Sequence, residues 1–158
     1  MTRTAAVPAG ARIAPALCLS VQYASNARDL PTRAQVRRWV RAALDGDANV
    51  NVRFVEAIEG RALNAEYRGK DYATNVLTFV YDDEQPRAGD IVLCVPVVRR
   101  EAQEQDKPLT AHFAHLVVHG TLHMQGYDHE RATDAKAMER RETTILAGFG
   151  IAAPSAES

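Results

Sequence analysis

Residues 115–129 read His115-Leu116-Val117-Val118-His119-Gly120-Thr121-Leu122-His123-Met124-Gln125-Gly126-Tyr127-Asp128-His129. On a helix that turns about 100° per residue, His112, His115, His119 and His123 fall in one narrow stripe. Phe113, Val117, Val118 and Leu122 occupy the other sides. The helix expected over 109–125 is therefore apolar nearly all round and belongs at the centre of the fold. Imidazoles buried without partners are costly, and a shared metal ion is an economical partner. His119 and His123 leave the helix one turn apart, which suits two ligands of one tetrahedral ion. Gly126 can take the left-handed conformation that ends a helix and turns the chain, bringing His129 back as a third ligand. The ion would sit at the helix C-terminus, where the dipole favours a cation. Three neutral histidines leave one position for water, the catalytic rather than the structural arrangement. His112 and His115 read as supporting or core groups rather than ligands, and Asp128 either orients a ligand or is an exposed turn residue.

The spacing H-x3-H-x2-G-x2-H matches the metal frame of the metzincin peptidases. Those enzymes carry a glutamate general base directly after the first histidine, and this chain has Gly120 there. Glycine cannot take a proton, so the chain keeps the cage and omits the peptidase base. Satisfied core histidines or a purely structural zinc are the competing reading, and three histidines at this spacing with the glycine argue against it. Three imidazoles also suit nickel or copper. Zinc, one ion per chain, is expected because the site needs no redox chemistry.

Working outward, residues 16–24 read as a first strand. Thr32 and Gln35 form a capping box, followed by Val36, Trp39, Val40, Ala43 and Leu44 at helical spacing. The opposite face carries Arg37, Arg38 and Arg41, read first as a solvated face and only second as a nucleic-acid contact. Val50, Val52 and Phe54 alternate as in a half-buried strand. A short helix is expected over Arg61 to Tyr67, then strands over Asn75–Tyr81 and Asp90–Val95. Pro96 opens a helix to about Gln105, and a last helix capped by Thr133 ends near Gly148. The expectation is a single α+β domain over 16–150. It has a mixed sheet of about four strands, packed with about five helices around the histidine helix, and a zincin-like metal site. Residues 1–15 read as a flexible extension and 151–158 as a flexible tail.

The 158 residues are enough for one domain with a sizeable core. A net charge of −1 means that any nucleic-acid binding rests on local patches. Aromatic residues are 6% of the chain, so a broad base-stacking platform is not expected. Cys18 and Cys94 lie far apart inside apolar runs and read as buried thiols of a reducing compartment. No apolar run approaches the roughly 18 residues of a membrane helix. A cytoplasmic location is expected. Arg3, Arg12 and Arg28 without acids give only a weak mitochondrial signal, interrupted by Pro8, Gly10 and Pro15.

A second segment carries chemistry. Tyr67-Arg68-Gly69-Lys70-Asp71 reads as a loop in which Arg68 and Lys70 flank a glycine. Arginine is shaped to fork onto a phosphate, and beside a metal it would stabilise charge growing on a phosphoryl oxygen. Leu63-Asn64, this block, Thr74-Asn75-Val76-Leu77-Thr78-Phe79, Gly89-Asp90-Ile91-Val92 and the histidine motif follow in order. Together they closely resemble the YbeY family over roughly residues 50–148.

The resemblance implies a single-strand-specific, metal-dependent endoribonuclease. Its role would be to mature the 3′ end of small-subunit (16S) ribosomal RNA and to serve ribosome quality control. It further implies His119, His123 and His129 as zinc ligands, with Arg68 in a cleft facing the metal. His119 and Arg68 would carry the chemistry, and Arg68 with Lys70 would hold the RNA. Ribosomal proteins or an assembly GTPase would supply targeting. A ribosome-binding assembly factor with a structural zinc is the alternative, and a metalloprotease the remotest one.

Overall fold

The computed structural model of the chain describes residues 14–82, 84, 86–127 and 132–152. His129, Asp128 and nearly all of the expected N-terminal extension and C-terminal tail lie outside these residues.

The order of elements is β1 (Leu17–Ala24), α1 (Arg33–Ala43), β2 (Ala48–Val55), α2 (Ala57–Arg68), β3 (Val76–Asp82), β4 (Arg87–Cys94), α3 (Val95–Glu104), α4 (Leu109–Met124) and α5 (Ala132–Gly148). The strands form one four-stranded sheet in the order β1-β2-β4-β3. β1 pairs with β2 and β2 with β4 in parallel, while β3 runs antiparallel to β4. The described residues adopt the expected α+β architecture, with a mixed sheet of four strands and with five helices.

Local chemistry explains the elements. The Thr32 hydroxyl accepts from the Gln35 amide at 3.1 Å, and the Gln35 side chain accepts from the Thr32 amide at 2.9 Å. This reciprocal box starts α1, which buries Val36, Trp39, Val40 and Ala43. The period of two along the strands divides the core between the two faces of the sheet. Val50, Val52 and Phe54 of β2 with Ile91 and Leu93 of β4 meet α1, α4 and α5. Val55, Leu77, Val92 and Cys94 face the other way and pack with Val97 and Leu63. α4 is the central helix, as expected, with Phe113, Val117, Val118 and Leu122 fully buried. Each side chain of this kind contributes roughly 1.5–3 kcal/mol of transfer free energy.

Four local expectations are corrected. α2 begins at Ala57 rather than near Arg61, because an exposed amphipathic turn precedes the part that packs. Arg68 is therefore the last residue of a helix, not part of a loop, and Gly69 caps it at φ 69° in the left-handed region. α5 already includes Ala132, so Thr133 lies inside the helix rather than at its cap. Cys18 is exposed and only Cys94 is buried. β1 is an edge strand, and Cys18 falls on its outward parity.

Candidate metal centre

The histidine stripe is present on α4. Ring centroids step from His112 to His115 by 6.1 Å, to His119 by 6.2 Å and to His123 by 6.5 Å. The last two rings are stacked with an interplanar angle of 6°. Their parallel planes follow from spacing of one turn and from what holds each ring.

Glu142 of α5 reaches across to the stripe. One carboxylate oxygen lies 2.5 Å from His119 Nδ1 and the other 3.3 Å from His115 Nε2. Glu142 is only 6% exposed. Burial alone would push its carboxyl up, but the hydrogen bonds from His115 and His119 outweigh burial and hold it at about 2. His123 Nδ1 lies 3.1 Å from the Tyr127 carbonyl. That carbonyl is in place because Gly126 takes φ 100° and turns the chain back after α4. A carboxylate and a carbonyl only accept, so the network assigns the proton of both rings to Nδ1. Each ring then presents Nε2 as the nitrogen suited to a metal, with the other nitrogen anchored, as histidine ligands require.

The donor set therefore fits a cation. His115, His119 and Glu142 each bring a ligand atom within 4.8 Å of the others and can hold a metal ion. His119 and His123, the first two expected ligands, are brought together on the last two turns of α4. The expected third, His129, lies outside the described residues.

His112 is a core group. It is 2% exposed and its Nε2 donates to the Glu101 carboxylate over 2.8 Å. Glu101 also accepts from the Asn75 amide at 3.0 Å. Burial pulls the His112 imidazole below its ordinary range against the opposing pull of Glu101. The contacts of His112 are those of a core group, whereas His115 joins His119 and Glu142 in the cluster that can hold a metal ion.

Gly120 packs α4 onto the sheet. A Cβ built there would stand 2.9 Å from Ile91 Cγ2 and 3.3 Å from Thr78 Oγ1. The position at which metzincins keep their glutamate is thus closed off by β4 and β3, and a side chain there requires Ile91 to shift.

Arg68 and Lys70 flank the cap of α2 and are exposed. α2 packs on the face of the sheet opposite α4. The segment after it is pinned: Asn64 donates to the Tyr72 carbonyl at 2.7 Å, and Arg61 forks onto Asp71 at 2.7 and 3.0 Å. Beside Arg68, the Tyr67 ring meets Phe79 of the edge strand β3 edge-on at 4.8 Å. Arg68 makes no ion pair with a described carboxylate. Among the described residues, no hydrogen bond joins it to the histidines.

The comparisons with known proteins decide the family. The model of the endoribonuclease YbeY family matches residues 21–150. The chain belongs to that family. An Endoribonuclease YbeY of Aromatoleum aromaticum is 60% identical over 143 residues, covering 89% of this chain and 93% of that one. One from Thiobacillus denitrificans is 58% identical over 144 residues, covering 90% and 98%. The solution structure of TM1509 from Thermotoga maritima superposes with a TM-score of 0.59 at 28% identity, over 81% of this chain and 86% of that one. The family name denotes an endoribonuclease, a hydrolase of phosphodiester bonds, in agreement with what the resemblance implies. No helix among the described residues is long and apolar enough to cross a membrane.

Glu142 escaped the sequence reading. A signal for it existed. Met138, Ile145 and Leu146 form the buried stripe of α5, and Glu142 sits in that stripe. A carboxylate in an apolar helical stripe needs a buried partner.

Proposed function

We propose that this endoribonuclease of the YbeY family is zinc-dependent and cuts single-stranded RNA. In this reading it matures the 3′ end of small-subunit ribosomal RNA in the cytoplasm. The observation that carries the reading is the pair His119 and His123, stacked on the end of α4 with both Nδ1 atoms anchored. His119, His123 and His129 are the ligands in this reading. Zinc, when bound, supplies a Lewis acid beside the scissile phosphate.

The chain's own residues do the rest. Arg68 and Lys70 hold the RNA backbone through its phosphates, Arg68 as a planar fork and Lys70 as a point charge. Arg68 also offsets negative charge that grows on the phosphoryl oxygens in the transition state. Glu142 and the Tyr127 carbonyl lie within hydrogen-bond reach of the two Nδ1 atoms. Gly120 offers no base, which separates this site from a peptidase. The attacking group is either water or the neighbouring 2′-hydroxyl of the RNA. A 2′,3′-cyclic phosphate end on the product identifies the latter. With a net charge of −1, intrinsic RNA affinity is modest and salt-sensitive, so ribosomal proteins or an assembly GTPase supply targeting.

The test is cleavage of a labelled single-stranded RNA ending in the small-subunit 3′ sequence. Wild type, His119→Ala and Arg68→Glu run side by side, each confirmed folded. Wild type should cut and both variants should not. Equal cutting by all three would assign the activity to a contaminant. No cutting even with ribosomes and zinc would favour an assembly factor whose zinc is structural.

A further inference from the structure

We propose that Glu142 is a positioning residue for the metal site: it fixes the Nδ1–H tautomer and the ring orientation of His119 without itself ligating the ion. This rests on the zinc reading above.

Distance separates the two roles available to this carboxylate. Two ligands of one tetrahedral zinc, each about 2.0–2.1 Å from the ion, stand about 3.3 Å apart. Glu142 and His119 Nδ1 are 2.5 Å apart, in direct hydrogen-bond contact and too close for two ligands of one ion. An ion placed among His115, His119 and Glu142 would have to break that bond and push the pair apart. An ion on His119 Nε2 keeps it.

The other contacts agree. His123, one turn on, has its Nδ1 on the Tyr127 carbonyl, so both rings are anchored by the same nitrogen and are parallel to within 6°. Glu142 occupies a buried position on α5, a different element from the helix that bears the rings. It thereby ties the packing of α5 on α4 to the direction in which His119 points. His115 takes the second oxygen through Nε2, so one carboxylate accepts from two imidazoles. That arrangement needs two acceptor oxygens. A glutamine in its place has one, so it can accept from only one of the two rings, and the other ring would have to take the opposite tautomer or lose its partner.

Two measurements test the inference on the full chain. The first is zinc affinity by competition with a chromophoric chelator, comparing wild type, Glu142→Gln and His123→Ala. Glu142→Gln should retain one zinc per chain and bind it roughly 10–100-fold more weakly, as loss of an outer partner does. His123→Ala should lose stoichiometric zinc. An unchanged affinity in Glu142→Gln overturns the positioning role alone. Loss of zinc from Glu142→Gln with retention by His123→Ala makes Glu142 a ligand and also overturns it. Absence of zinc from wild type overturns the zinc reading and this inference with it. The second measurement needs no variant: long-range proton–nitrogen NMR of the His119 ring in the metal-free protein. A proton on Nδ1 is expected, and a proton on Nε2 overturns the proposal.

Discussion

Gly120 rests directly on Ile91: a Cβ added to the glycine would lie 2.9 Å from Ile91 Cγ2, closer than real carbon contacts allow. Ile91 is fully buried and cannot swing aside. The helix that carries the histidines is thereby seated against β4 one residue from His119. Gly120→Ala gains about 1 kcal/mol of helix propensity but meets roughly 1–3 kcal/mol of overpacking. A net loss of about 1 kcal/mol is expected in urea unfolding, from the difference of those two. Gly120→Glu, which restores the peptidase pattern, should unfold the chain rather than create a protease.

Gly89→Ala should cost more. Its Cβ would stand 2.6 Å from the Phe79 carbonyl oxygen and 2.8 Å from Met124 Sδ. Met124 can adjust, but the carbonyl belongs to the β3–β4 pairing and cannot move without breaking it. A loss of about 2–3 kcal/mol is expected by urea titration, at the upper end of overpacking costs. If Gly120→Ala proved the more damaging of the two, backbone contact would not be what sets these costs.

How much of this was legible follows from which signals are local. The helical spacing of His112 to His123, the capping box at Thr32 and Gln35 and the alternation through Val50, Val52 and Phe54 each depend on residues close in sequence, and each is present in the fold. The grip of Glu142 on His119 spans 23 residues and two helices, so it depends on how α5 packs and not on any local pattern. The exposure of Cys18 is not legible in its apolar run, which does not reveal that its strand lies at the edge of the sheet. The helical state of Arg68 is hidden in the sequence because Gly69 reads equally as a loop residue and as a helix cap, and only its positive φ separates the two.

Stability should fall as pH drops below about 6.5, in part through His112. Its folded imidazole titrates below its ordinary value of 6.5, chiefly because of burial. A depressed histidine is neutral in the fold while the unfolded chain takes up a proton. Its contribution is therefore complete above 6.5 and is lost as pH falls toward the folded value. Glu101 on α3 opposes the shift, while Lys107 and His115 reinforce it. The slope from one such group is at most about 1.4 kcal/mol per pH unit. Urea midpoints from pH 7.5 to 5 should decline more steeply in wild type than in His112→Gln. Parallel declines would remove His112 from the account.

Zinc should stabilise the chain and chelation should reverse this. A ligand that binds only the folded state adds about 2.7 kcal/mol at 100 times its dissociation constant. The thermal midpoint of wild type should rise with added zinc and fall back with a chelator. His123→Ala should show no such response. A rise of the same size in His123→Ala would place the ion elsewhere.

Arg68 should matter for cleavage and hardly at all for stability. It is exposed, ends α2 and makes no ion pair with a described carboxylate, and the Gly69 cap that closes the helix does not depend on its side chain. Among the described residues its structural contribution is a positive charge at a helix C-terminus, about 0.3–1 kcal/mol. Arg68→Ala should therefore shift the urea midpoint only slightly. If Arg68 offsets charge on the phosphoryl oxygens, its loss should slow cleavage by about 100–1,000-fold, as removal of one such donor does elsewhere. Arg68→Lys keeps the charge but not the planar fork, so its rate should fall between the two. Single-turnover rates with a short single-stranded RNA separate the possibilities. A lysine variant as slow as the alanine variant would make the fork, rather than the charge, the quantity that counts. An alanine variant as fast as wild type would leave the arginine with no part in the reaction.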